Sequence, residues 1–90
     1  MKGSLGYWRT PAGSEVDFVW WRGRDVVAIE VKHANTFRPE HRKGLEAFLT
    51  GVPAKSYIVY GGERELKAGG TRVLPVGKFL RLLHAGEIIG

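Results

Sequence analysis

Three stretches in the first third of the chain alternate apolar and polar residues with a period of two. Leu5 to Arg9 is short and aromatic and closes on the breaker run Pro11-Ala12-Gly13-Ser14. Glu15 to Trp21 sets Val16, Phe18 and Trp20 on one face and Glu15, Asp17, Val19 and Trp21 on the other. Asp25 to Lys32 sets Val27, Ile29 and Val31 against Val26, Ala28, Glu30 and Lys32. Such alternation predicts strands. The spacing then changes. Thr36 reads as a cap and Pro39 as the first turn of a helix, with Leu45, Phe48 and Leu49 at helical intervals until Gly51 and Pro53 stop it. Lys55 to Tyr60 reads as a buried strand and Arg72 to Pro75 as an edge strand. Val76 to Ala85 reads as an amphipathic helix through Phe79, Leu80, Leu82 and Leu83, ended by Gly86. The predicted order is β-β-β-α-β-β-α. No repeat or low-complexity linker divides the chain, so residues 1–90 are expected to form one α/β domain.

The turn between the second and third strands fixes a register. Gly23 is the residue that a two-residue type II′ hairpin takes at its first central position. With Gly23-Arg24 as the loop, Arg22 faces Asp25, Val19 faces Ala28, Asp17 faces Glu30 and Glu15 faces Lys32. Two carboxylates directly opposed on a ladder repel, so Asp17 and Glu30 call for a cation between or beside them. That cation is either a divalent metal or the Lys32 ammonium two residues beyond. Oxygen-only ligands favour Mg²⁺ or Mn²⁺. Two carboxylates, a metal and a lysine held together suit phosphodiester hydrolysis. The plain alternative is a solvated strand face on which Glu15 and Asp17 form ordinary cross-strand ion pairs with Lys32.

Composition narrows the choice. A 43% hydrophobic content with three Trp supports a packed core, and the absence of Cys removes disulfides, thiolate metal sites and a cysteine nucleophile. Three scattered His do not make a zinc site. No apolar run approaches a membrane span and Met1-Lys2-Gly3-Ser4 leads into no apolar leader, so a cytoplasmic protein is expected. The net charge of +5 is spread along the chain and suits a phosphate-bearing partner.

Glu15-Val16-Asp17-Phe18-Val19, a hairpin and then Ile29-Glu30-Val31-Lys32 resemble the PD-(D/E)xK nuclease signature. More narrowly, Tyr7-Trp8-Arg9-Thr10, Glu15-Val16-Asp17, Glu30-Val31-Lys32, Gly44-Leu45 with Phe48, and Val73-Leu74-Pro75-Val76 resemble the C-terminal nuclease-like domain, DUF4143, of prokaryotic AAA-type ATPases. The resemblance runs from about Leu5 to Leu83. It implies a restriction-endonuclease-like core with a mixed central sheet, Asp17, Glu30 and the Val31 carbonyl as ligands of Mg²⁺ or Mn²⁺, and Lys32 as the catalytic lysine. The acidic residue that many resolvase-like members carry on a helix before the first strand has no counterpart ahead of Leu5. Glu40, Glu63 or a partner subunit are the candidates to replace it. A sheet lacking that helix is under-covered on one face, which leads to the expectation of a homodimer. No phosphate-binding G-x-x-x-x-G-K-[ST] loop occurs, so ATP hydrolysis is not expected of this chain, although association with an ATPase is.

Arg38, His41, Arg42 and Lys43 crowd the start of the first helix, not far in sequence from Lys32 and His33. Lys32, His33, Arg38, Arg42 and Lys43 are the candidate nucleic-acid contacts, with a solvated helix face as the plain alternative for those on the helix and, for His33, a polar residue leaving the strand. Trp20 is expected in the core. Trp21 is expected either exposed near substrate or covered by a helix or a partner. The functional expectation is a metal-dependent DNA nuclease. The alternative is a non-catalytic DNA-binding or dimerisation module of the same fold, derived from the tail of an ATPase.

Overall fold

A computed structural model describes residues 3–11, 13 and 15–89. Met1 and Lys2 at the chain start and Ala12 and Ser14 of the breaker run lie outside the described residues. The chain forms strands β1 (Ser4–Arg9), β2 (Glu15–Arg22) and β3 (Asp25–Lys32). A 3-10 turn (Pro39–Arg42) follows, then helix α1 (Lys43–Gly51), strands β4 (Lys55–Tyr60), β5 (Leu66–Ala68) and β6 (Thr71–Pro75), and helix α2 (Val76–His84). The six strands make one mixed sheet in the order β1-β2-β3-β4-β6-β5. The first three form an antiparallel meander, β3, β4 and β6 run parallel, and β5 returns antiparallel on the far edge. β5 was absent from the expected order. Only three residues long, it pairs locally across a Gly69-Gly70 turn in which Gly69 adopts φ +62°, too short to show a period of its own.

Helices cover opposite faces. On the α1 side Val16, Val19, Ala28, Leu45, Phe48, Ile58, Tyr60 and Val73 form a core, extended by Trp8, whose ring meets that of Phe48 edge-on with centroids 5.4 Å apart. On the α2 side Trp20, Val27, Ile29, Tyr57, Val59, Leu74, Phe79 and Ile88 pack together. Trp20 is therefore core, as expected, and Trp21 is exposed at 41%. Of the apolar residues expected to anchor α2, Phe79 is buried and Leu82 packs on the core, whereas Leu80 and Leu83 face outward. Gly86, at φ +76°, then turns the chain so that Ile88 returns to the sheet.

Gly23, at φ +59°, makes the expected hairpin turn, and the register Arg22–Asp25, Val19–Ala28 and Phe18–Ile29 follows. Regular pairing stops there. On β1 two steps separate Gly6 from Trp8, while their partners on β2, Val19 and Val16, are three apart, so β2 carries one extra residue around Asp17 and Phe18. This bulge corrects two expectations. Val16 joins Val19 in the α1-side core instead of sharing a face with Trp20, and the backbone ladder does not extend to Asp17–Glu30 or Glu15–Lys32. The helix start is corrected too: the residue that caps the 3-10 turn is Arg38, not Thr36, with Pro39 in the first turn as expected.

Candidate active site

β3 carries Glu30 and Lys32 into position. Their parallel partners on β4 are Ile58 and Tyr60, both in the α1-side core, so both charged residues point to the face that α1 covers. Glu30 is only 3% exposed. α1 comes close above it because residue 44 is Gly: a Cβ there would lie 2.3 Å from the Glu15 carbonyl oxygen and 3.3 Å from a Glu30 carboxylate oxygen. Helical spacing gives no hint of such a close approach, and Gly44 is the site residue whose role the pattern alone missed.

The bulge delivers Asp17. Its Oδ2 accepts a hydrogen bond from the Val31 backbone N–H at 2.8 Å, replacing the next rung of the ladder and tying the carboxyl to β3 beside Glu30. The two acids are thus brought together by a side chain crossing to the neighbouring strand rather than by direct opposition. Lys32 Nζ stands 3.7 Å from Glu30 Oε2, with its side chain about one-third exposed.

The two carboxyls are pushed in opposite directions. Burial, reinforced by the hydrogen bond with Asp17 and by its charge, pushes the Glu30 carboxyl up to about 8, against the attraction of Lys32. Burial also opposes ionisation of Asp17, but hydrogen bonds from Glu30 and the Val31 N–H, with Lys32 and His33 nearby, outweigh it and hold that carboxyl below its usual value. At neutral pH the arrangement is one carboxylate and one carboxylic acid.

A cavity of about 310 Å³ opens beside Glu30, bounded by Glu15, Lys32, Glu40, Lys43 and Gly44. Asp17 opens instead into an adjoining cavity of about 230 Å³ with Tyr7, Trp8, Arg9 and Glu15. Of the suggested replacement acids, Glu40 shares the Glu30 cavity, while Glu63 lies in a separate one beside Asn35 and Tyr60. Among the described residues, no group of three or more His, Cys, Asp and Glu side chains converges as a metal site. The donors present fit a hard cation that keeps several waters: oxygen atoms only, with a buried acid whose ionisation a divalent charge would favour.

The candidate nucleic-acid contacts separate into groups. Lys32 and Lys43 line the Glu30 cavity, and His33 is exposed just beyond β3. The Arg38 backbone N–H donates to His41 Nδ1, whose ring also meets that of Phe37, so His41 has partners that the sequence did not reveal. Arg42 lies against Gly69 and pairs with Glu46 at 3.7 Å, outside the cavity.

A family model described as a domain of unknown function, DUF4143, matches residues 1–79. The chain belongs to the DUF4143 family. The match takes in the whole DUF4143 sheet, the bulge, α1 and every candidate site residue, and ends within α2. No curated protein matches the chain.

Proposed function

We propose that this DUF4143 domain is a metal-dependent DNA nuclease of the PD-(D/E)xK type with a restriction-endonuclease-like core. The observation that carries this reading is the joining of Asp17 and Glu30 through the Val31 N–H, with Lys32 3.7 Å from Glu30 at the wall of an open cavity. Asp17, Glu30 and the Val31 carbonyl would hold Mg²⁺ or Mn²⁺. A divalent ion held by these residues would supply a water of lowered pKa and polarisation of a phosphoryl oxygen. The chain's own residues do the rest. The Val31 N–H fixes the Asp17 carboxylate, Lys32 offers an ammonium to the charge that develops on the phosphoryl oxygens, and Lys43 with His33 receives neighbouring phosphates.

The test is cleavage of plasmid and branched DNA in Mg²⁺ or Mn²⁺. Lys32→Ala is expected to lower the rate at least a hundredfold while metal binding survives. Cleavage that is absent from the wild type, or unaffected by Lys32→Ala, contradicts the reading.

Among the described residues no third acid converges on Asp17 and Glu30, and this favours one alternative, a DNA-binding or dimerisation module that binds metal weakly and does not turn over. We further infer a homodimer, and association with an ATPase. α2 packs on β4 and β6, which leaves Leu5, Tyr7 and Phe18 uncovered on the same face of β1 and β2. No helix among the described residues is long and apolar enough to cross a membrane.

A further inference from the structure

A second cleft lies at the other end of β3. Because β3 and β4 run parallel, their first residues lie together, with Val27 beside Lys55. The Gly23-Arg24 turn hangs over the same end, and the tail beyond Gly86 comes back to it through Ile88. Together they enclose a cavity of about 350 Å³, within the range of small-ligand sites. Its floor is apolar, built from Trp20, Val27 and Ile88. Its rim carries Arg22, Arg24 and Lys55, and Asp25 is the one carboxylate among the described lining residues. The Arg22 guanidinium lies over the Trp20 ring, 5.7 Å from its centroid, and so presents a planar cation fixed in orientation.

We propose that this cleft binds a nucleotide, with the base against the Arg22–Trp20 stack and the phosphate between Arg24 and Lys55. A planar guanidinium on an aromatic ring is a stacking surface for bases, and an excess of cations on an apolar floor selects an anion with an apolar body. Inorganic phosphate alone would use the rim and waste the floor. The nucleotide comes either free or as part of a single strand. Val27 on the cleft floor is three residues along β3 from Glu30, roughly 10 Å at strand rise, and the floor belongs to the α2-side core. The proposal stands apart from the nuclease reading.

The experiment is amide and indole NMR titration of the ¹⁵N-labelled protein in EDTA, where no metal occupies the Asp17–Glu30 site. The ligands are AMP, a short single-stranded oligonucleotide and inorganic phosphate. Saturable shifts confined to residues 20–27, 54–55 and 88–89 are expected, with affinity at least tenfold weaker in Arg24→Gln/Lys55→Gln. Arg22→Lys keeps the charge but not the plane, and is expected to weaken AMP several-fold and phosphate little. With the oligonucleotide, losing the contact to that one phosphate reduces the salt slope by about 0.7. Binding of both AMP and oligonucleotide supports the free nucleotide as ligand, and binding of the oligonucleotide alone supports the strand. Three results overturn the proposal: no saturable shift at the cleft, affinity unchanged in the double variant, or phosphate binding as tightly as AMP. All variants lie on exposed side chains, and matching melting curves confirm folding.

Discussion

Glu30 holds its proton in the folded chain up to about pH 8, whereas the unfolded side chain releases it near its ordinary 4.5. Between those values the folded state binds more protons than the unfolded state. The stabilising contribution of this group is therefore complete below about pH 4.5 and is lost as pH rises through about 8. Asp17 acts in the opposite sense, its contribution present above its unfolded 3.8 and lost on acidification. In metal-free buffer the urea midpoint is expected to fall between about pH 5 and about pH 9, and Glu30→Gln, which keeps shape without charge, is expected to flatten that profile. Gly44 makes a second prediction at this scale. Gly→Ala inside a helix ordinarily stabilises by about 1 kcal/mol, but here the new Cβ would meet the Glu15 backbone at 2.3 Å. Gly44→Ala is expected to destabilise by roughly 2–3 kcal/mol in denaturant titration, because α1 must lift off the sheet.

The β2 bulge is the element on which the site depends. Asp17 takes the place of a backbone acceptor for Val31, so Asp17→Ala leaves a donor without its partner and is expected to cost about 1–3 kcal/mol. Asp17→Asn keeps an acceptor and is expected to cost less. Faster hydrogen exchange at the Val31 amide in Asp17→Ala alone would locate the effect. How much of this was legible in sequence follows from where the signals reside. Period-two alternation and Gly23 gave the strands and the register as far as Phe18–Ile29, since both are local properties of the chain. The bulge was not legible, because an extra residue in β2 declares itself only against β1, where Gly6 and Trp8 find partners three apart. Asp17 was expected directly opposite Glu30 on a regular ladder, and the structure instead ties the Asp17 carboxylate to the Val31 N–H through a side-chain bond. Leu80 and Leu83 fit a helical stripe yet face outward, since Phe79 and Leu82 are the residues of α2 that meet the core, and which side of an apolar helix meets the sheet is a tertiary property.

For the molecule as a whole, α1 and α2 cover opposite faces but not equally. Leu5 is 65% and Tyr7 73% exposed on β1, an edge strand whose outer backbone groups are open to pairing. Light scattering on a sizing column is expected to give twice the chain mass, and Tyr7→Lys/Phe18→Lys to give a monomer that keeps its fold. A wild type that stays monomeric at high concentration contradicts the dimer. The face that dimerisation would cover is opposite to Glu30, so the monomeric variant is expected to keep the proposed metal site.

The most direct measurement is calorimetric titration of Mn²⁺ into the wild type and into Asp17→Asn/Glu30→Gln, with the same samples assayed on plasmid DNA. The account expects one saturable site in the wild type, no binding in the double variant, and metal-dependent cleavage that disappears with it. Equal heats from both proteins, or cleavage that persists in the double variant, would contradict it and reduce Asp17, Glu30 and Lys32 to a buried charge cluster.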